Sequence, residues 1–210
     1  MAASPKKPPK RGKRRTAAPE TAILEAALRR AADVPWYDLS LGDVAEEAGM
    51  TLAEVHAVYA DTNAIADRWF VMAQAAMLAP LPKKVAAQPV KTRLEFILWR
   101  WFAALAAERR ASIGMLRSKF HLPHVHHWSP LVFSLSSHVQ LWRDAAGLRA
   151  AGRRRQVEEI GLTGVFLATL AVWCGDEGEG QVRTRAFMAR RLAQGDAAMA
   201  RLFAADRDAA

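Results

Sequence analysis

Apolar residues recur along this chain at three- and four-residue spacing, the interval that puts side chains on one face of an α-helix. No stretch sustains the alternation of a half-buried strand. From Glu20, the positions Ile23, Leu24, Ala27, Leu28 and Ala31 share a face while Arg29 and Arg30 turn away from it. Pro19 suits a first turn. Pro35, Trp36 and Tyr37 end this helix, with Trp36 placed as a plug for the core beneath it. Val44, Ala45 and Ala48 then mark the inner face of a short second helix, and Val55 and Val58 that of a third. Between them Gly49 takes a left-handed turn at low steric cost, the small Ala45 lets the two helices cross closely, and Met50 fills their angle. Ser40 and Thr51 occupy N-cap positions, and Thr51 is followed three residues later by Glu54, the spacing of a capping box. Asp61 caps a longer helix in which Ile65, Trp69, Met72, Ala76 and Leu78 repeat as far as Pro80.

The stretch LPKKVAAQP, with Pro82 and Pro89, interrupts the pattern and reads as an internal boundary. Beyond it Leu94, Ile97, Leu98, Trp101, Phe102 and Leu105 line one helix, with Trp99 off the main stripe. Ile113, Leu116 and Phe120 line a shorter helix. HLPHVHHWSP breaks the run, and a further helix from Leu131 to about Ala146 carries Leu135, Val139 and Trp142. Residues 160–174 hold no charge, are short for a membrane span and follow a charged segment, so they read as a buried soluble helix. A last helix from Gln181 to about Phe203 presents Phe187, Met188, Leu192, Met199 and Leu202. The pattern predicts an all-α protein of about nine helices. Residues 1–19 form an arm, residues 20–70 a three-helix unit, and residues 71–210 a larger helical body.

Charge changes this picture once it is divided by region. The net +9 splits into +7 for residues 1–19, −7 for residues 20–70 and +9 for the remainder. The arm has prolines, like charges and almost no large apolar side chain, so it cannot bury enough surface to fold alone. It lacks the apolar core of a secretory signal. A single cysteine, Cys174, excludes an internal disulfide and a cysteine-based zinc cluster and fits a reducing cytoplasm.

The order Ser40, Val44-Ala45, Ala48-Gly49, Met50-Thr51, Tyr59 and Ile65 resembles the DNA-binding segment of the TetR/AcrR family of transcriptional regulators. The phrases GLTGVFLATLAVW and TRAFMARRL also resemble the last two helices of one branch of that family. The resemblance implies a helix-turn-helix whose second helix enters the major groove of double-stranded DNA, presenting Thr51, Leu52, Ala53, Glu54, His56 and Ala57. It assigns Ser40 and Thr62 to the same interface, and gives Arg14, Arg15 and Thr16 the role of an arm reaching phosphate or the minor groove. Three positions depart from the family pattern. His56 stands where a Tyr is usual, Thr62 where a Lys is usual, and Glu54 adds an acid.

The resemblance further implies a small-molecule pocket in the central helices. Here Trp99, Phe102, Met115, Phe120, Trp128, Phe133, Trp142 and Phe166 suit an apolar or planar ligand. Arg100, Arg117 and Lys119 are the cations able to meet an acidic head group. Family members commonly pair through a four-helix bundle of their last two helices, which predicts a homodimer. Its contacts would come from Gly161, Gly164, Val165, Ala168, Val172, Met188, Leu192 and Met199. An alternative of another class is a TetR-like fold without DNA function, similar to lipid-binding accessory proteins of ubiquinone biosynthesis. The acidic helix-turn-helix favours it; the basic arm and the lack of an amphipathic membrane helix at the C-terminus oppose it.

His121, His124, His126 and His127 lie within seven residues, but no cysteine or carboxylate close in sequence completes a metal set, so the loop is expected to hold no metal. Neither a phosphate-binding glycine loop nor a nucleophile elbow nor a zinc-protease helix occurs. The expectation is a non-enzyme without cofactor.

Overall fold

The computed structural model describes residues 18–119 and 128–204; for residues 128–134 only the backbone is described. Ten α-helices and two 3-10 turns account for its regular structure, with no strand among the described residues. The N-terminal helices are α1 (Pro19–Arg30), α2 (Leu41–Ala48), α3 (Leu52–Val58) and α4 (Thr62–Leu78). The body comprises α5 (Lys83–Ala86), α6 (Val90–Ala106), α7 (Arg109–Lys119), α8 (Trp128–Ala145), α9 (Gly152–Cys174) and α10 (Val182–Leu202). The tenth helix is α5, one turn inside the proline-bounded stretch expected to be a plain break. Pro82 and Pro89 lie just outside the starts of α5 and α6, where a fixed φ costs nothing.

Boundaries shift where charged turns continue an apolar helix. The uncharged run from Ile160 belongs to a helix that starts eight residues earlier at Gly152. Its first turns are held by pairs one turn apart, Arg154–Glu158 at 3.4 Å and Arg155–Glu159 at 2.8 Å. At the other end of the chain, α1 stops at Arg30, well before Pro35, and a short turn leads into the 3-10 turn Trp36–Asp38.

Two apolar cores form. The first gathers Ile23, Leu24, Trp36, Val44, Val55, Tyr59 and Ile65, and it recruits Ala111 and Met115 from α7. The second gathers Ile97, Leu98, Trp101, Phe102, Leu105, Val139, Trp142, Phe166, Trp173, Met188 and Leu192. Trp69 and Phe70 of α4 pack against both. In the body α4 lies along α6, α10 packs on α6 and α9, and α8 packs on α9.

Within the second core the rings of Trp101, Phe102 and Phe166 meet at 5.2 to 6.4 Å between centroids, in edge and stacked arrangements. His138 of α8 enters the same cluster, 5.1 Å from Trp101 and 4.7 Å from Phe166, and its Nε2 is buried with no hydrogen-bond partner. Burial drives its pKa down to about 4, so the ring is neutral.

Candidate nucleic-acid interface

The helix-turn-helix is built by local chemistry. Ser40 closes a capping box on α2: its hydroxyl accepts from Asp43 N–H, and the Asp43 carboxylate accepts from Ser40 N–H at 2.9 Å. Gly49 ends α2 in the left-handed conformation at φ 66°, turning the chain at low cost. Thr51 repeats the box on α3, where Glu54 Oε2 accepts from both Thr51 N–H and Thr51 Oγ1–H at 2.8 Å. These donors hold the Glu54 carboxyl below its ordinary range, the backbone bond contributing most. Asp61 caps α4 by accepting from Ala64 N–H at 2.8 Å.

Of the seven residues of α3, only Val55 is buried. Thr51, Leu52, Ala53, Glu54, His56 and Ala57 all lie exposed, and Leu52 keeps 54% of its surface accessible. Val58, expected on the inner face, is 40% exposed, because the short helix ends beside it and Tyr59 takes the inward position instead. Ser40 is exposed and Thr62, the first residue of α4, is half-buried. Arg14, Arg15 and Thr16 lie outside the described residues. Tyr59 nevertheless locates where the arm departs, because its hydroxyl donates to the Glu20 carbonyl at 3.3 Å and ties the start of α1 to the end of α3.

The acidity of residues 20–70 has a structural explanation. Six of their ten carboxylates are already engaged. Glu47 pairs with Arg29 at 2.7 Å, Glu20 with Arg68 at 3.0 Å and Asp67 with Lys119 at 2.5 Å, while Asp43, Glu54 and Asp61 serve as caps. Glu54 is the one acid on α3, and one of its two oxygens is held in the cap.

Among the described residues α9 and α10 pack side by side, and much of the apolar surface of α9 stays exposed. Only 28% of the most apolar part of α9 is buried within this chain, so residues 160–174, expected to form a buried helix, are covered on one face by their own chain, through Leu162, Phe166, Thr169, Leu170 and Trp173. That helix is long and apolar enough to cross a membrane by length and composition alone. Gly161 and Gly164 are exposed, a Cβ on either would meet nothing within 4 Å, and Ile160 is 75% exposed. Val165, Ala168, Val172 and Met199 are half-buried. Met188 and Leu192, expected on the pairing face, are 1% and 4% exposed and belong to the subunit's own core. The reason is rotational: they sit on the side of α10 that meets α6 and α9.

The described members of the expected ligand set do not line the main cleft. Phe102, Trp142 and Phe166 are packed into the second core, and Trp142 Nε1–H donates to the Leu94 carbonyl at 2.9 Å. Met115 belongs to the other core, under the helix-turn-helix. Trp99 is partly exposed, with the Arg185 guanidinium 3.8 Å from its ring centroid, so its second partner is α10. Phe120 and the four clustered histidines lie outside the described residues, and Trp128 and Phe133 are described in backbone only. That cleft, of about 720 Å³, lies between the Trp36–Asp38 turn and α7; its lining includes Arg117, one of the cations the sequence offers for an acidic head group, and Cys174. Sequence reasoning missed His138, Arg109 and the buried Arg143–Glu158 pair at 2.9 Å. Each is an isolated polar letter in an apolar or charged run, and only packing reveals its burial.

No protein-family model matches the chain, and no curated protein matches it by sequence. Solved structures do. A TetR transcriptional regulator from Nitrosomonas europaea superposes with a TM-score of 0.75 at 29% identity, covering 84% of this chain and 97% of that one. A TetR-family regulator from Streptomyces coelicolor gives 0.63 at 13% identity, covering 90% and 84%. A TetR regulator from a Rhodococcus species gives 0.61 at 16% identity, covering 86% and 96%. The last two speak for the fold; the first adds likeness in sequence. The chain has the helix-turn-helix architecture and fold of the TetR family of transcriptional regulators.

Proposed function

We propose that this TetR-type chain is a ligand-responsive repressor that acts in the cytoplasm and reads an inverted-repeat operator as a homodimer. The observation that carries the reading is α3: a short, doubly capped helix whose residues other than Val55 face solvent, with an uncovered leucine at its first turn. Among the described residues, none but Val55 of this helix is packed into the core. Leu52 and Ala53 offer apolar contact to thymine methyl groups, while His56 and Ala57 extend the groove-facing set. Glu54 can accept from a cytosine amino group through Oε1, since Oε2 is held by the cap. Ser40 is the N-cap of α2 and Thr62 the first residue of α4, positions at helix starts from which either hydroxyl could meet phosphate.

Attraction to DNA then rests chiefly on the seven bases of the arm, which leaves the body next to Tyr59. If all seven meet phosphate, deleting residues 1–17 lowers the slope of log affinity against log salt by roughly 6. Pairing through α9 and α10 would set two copies of α3 about 34 Å apart, one duplex turn. A ligand that prefers another spacing releases the operator by population shift.

The test is selection of genomic fragments by the purified full chain at moderate salt, followed by fluorescence anisotropy on the enriched site. His56→Ala should weaken the selected site more than random DNA. No enrichment, together with lipid co-purifying in stoichiometric amount, would instead support the lipid-binding alternative, which the surplus of acid over base in residues 20–70 favours.

A further inference from the structure

We propose that the cleft between the Trp36–Asp38 turn and α7 binds a small planar organic anion, an aromatic body bearing a carboxylate or phosphate head. Its volume of about 720 Å³ falls in the range of small-molecule sites. Pro35, Trp36 and Tyr37 form one wall and Ile113 adds to the apolar lining. Three guanidinium groups, Arg109, Arg110 and Arg117, line the same space against one carboxylate, Glu177. A fork of fixed donors beside aromatic surface is the chemistry that recognises a flat anion.

Two of the three arginines are tied to backbone carbonyls, while Arg117 is exposed. Arg109 donates through Nη2 to the Trp173 carbonyl at 2.7 Å and the Cys174 carbonyl at 3.3 Å, and its guanidinium lies 5.3 Å from the Trp173 ring centroid. Arg110 donates to the Ala32 carbonyl. Arg109 Nε–H and, behind the cleft wall, Trp173 Nε1–H are buried without an acceptor among the described residues. Gly114 brings the walls together, because a Cβ there would fall 2.9 Å from Trp36 Cβ. Occupancy therefore bears directly on the joint between the DNA-binding unit and α7. Assignment of the site does not depend on DNA binding; only that consequence rests on the function proposed above.

Cys174 is the chain's one cysteine and lines the cleft, which makes it a local reporter. Its alkylation by iodoacetamide would be followed by intact mass in the full-length protein. The probes are 1-naphthoate, 1-naphthyl phosphate and, as the uncharged control, 1-naphthalenemethanol. Both anions are expected to slow alkylation saturably, the stronger protector identifying the head group, while the alcohol leaves the rate unchanged. Arg117→Glu, at an exposed position, should raise the apparent Kd by about tenfold or more. Arg149→Glu, an exposed charge reversal outside the cleft lining, should leave it unaltered. Equal protection by the alcohol, an unchanged Kd in Arg117→Glu, or no protection by either anion overturns the proposal. Because no DNA is present, failure here and failure of operator selection are separate results.

Discussion

Replacing His138 by Phe should flatten the acid sensitivity of this protein between neutral pH and about pH 5. The imidazole sits among Trp101 and Phe166 with Nε2 buried and unpartnered, and burial takes its pKa from 6.5 to about 4. The sign follows from which state binds the proton. Above 6.5 both the folded and the unfolded chain carry a neutral ring, so stability is full. As pH falls the unfolded chain is protonated first, and stability drains away until the folded ring also titrates near 4. At about 1.4 kcal/mol for each tenfold difference, the total is about 3 kcal/mol, of which about 2 kcal/mol is gone at pH 5. Urea unfolding of the native chain and His138→Phe, at one protein concentration and at both pH values, isolates this amount as a difference of differences. Any packing penalty of the larger ring is common to both pH values and cancels. Carboxylates such as Asp176, held below the usual range by its Thr184 hydrogen bonds against the upward push of burial, cancel likewise. Parallel losses of stability in the two proteins would refute the reasoning.

Removing one partner of the buried Arg143–Glu158 pair, as in Arg143→Met, should cost about 3–5 kcal/mol in denaturant unfolding, and adding Glu158→Leu should restore most of it. Thr51→Ala should lose about 1 kcal/mol through the broken cap, seen by calorimetry as a fall of roughly 2–4 °C in the unfolding midpoint; an unmoved midpoint would mean the box contributes nothing. Gly164→Arg combined with Leu167→Glu places charge on the uncovered face of α9 and should halve the mass measured by light scattering while helicity persists. An unchanged mass would locate the pairing surface elsewhere.

Where the sequence was legible, a local rule set the outcome. The Thr51–Glu54 capping box, the Ser40 and Asp61 caps and the left-handed Gly49 are decided by residues within three positions of one another, so spacing alone revealed them, whereas the box that Asp43 closes on Ser40 was not read from the sequence. Trp36 as a core plug followed from a large aromatic placed before a turn, and it is 3% exposed. What spacing could not reveal was the direction in which an apolar face points. Met188 and Leu192 share a helical face as well with an intact core as with a partner, and only the rotation of α10 against α6 chose the core. Aromatic letters likewise do not distinguish a lined cavity from a filled one. Phe102 and Phe166 fill theirs, while the open cleft is lined by arginines that in sequence look like ordinary solvated charge.

That cleft lies at one of two joints connecting the DNA-binding unit to the body, and the joints differ in kind. One is α4 itself, continuous from its Asp61 cap beside α3 to Leu78, with Trp69 and Phe70 packed against both cores and Trp69 Nε1–H donating to Ser112 Oγ at 2.8 Å. It is covalent, apolar and well filled, so displacing it requires repacking two cores at once. The other is the seam between α1, the Trp36–Asp38 turn and α7, carried by Met115 and Ala111, the close approach at Gly114 and the Arg110 bond to Ala32. Beside its apolar contacts lies an open volume lined by arginines. On the function proposed above, a ligand entering there would act on this seam, which yields more readily than the well-filled α4. Cys174 makes the step observable, because a ligand that opens the seam must occupy the space the thiol lines.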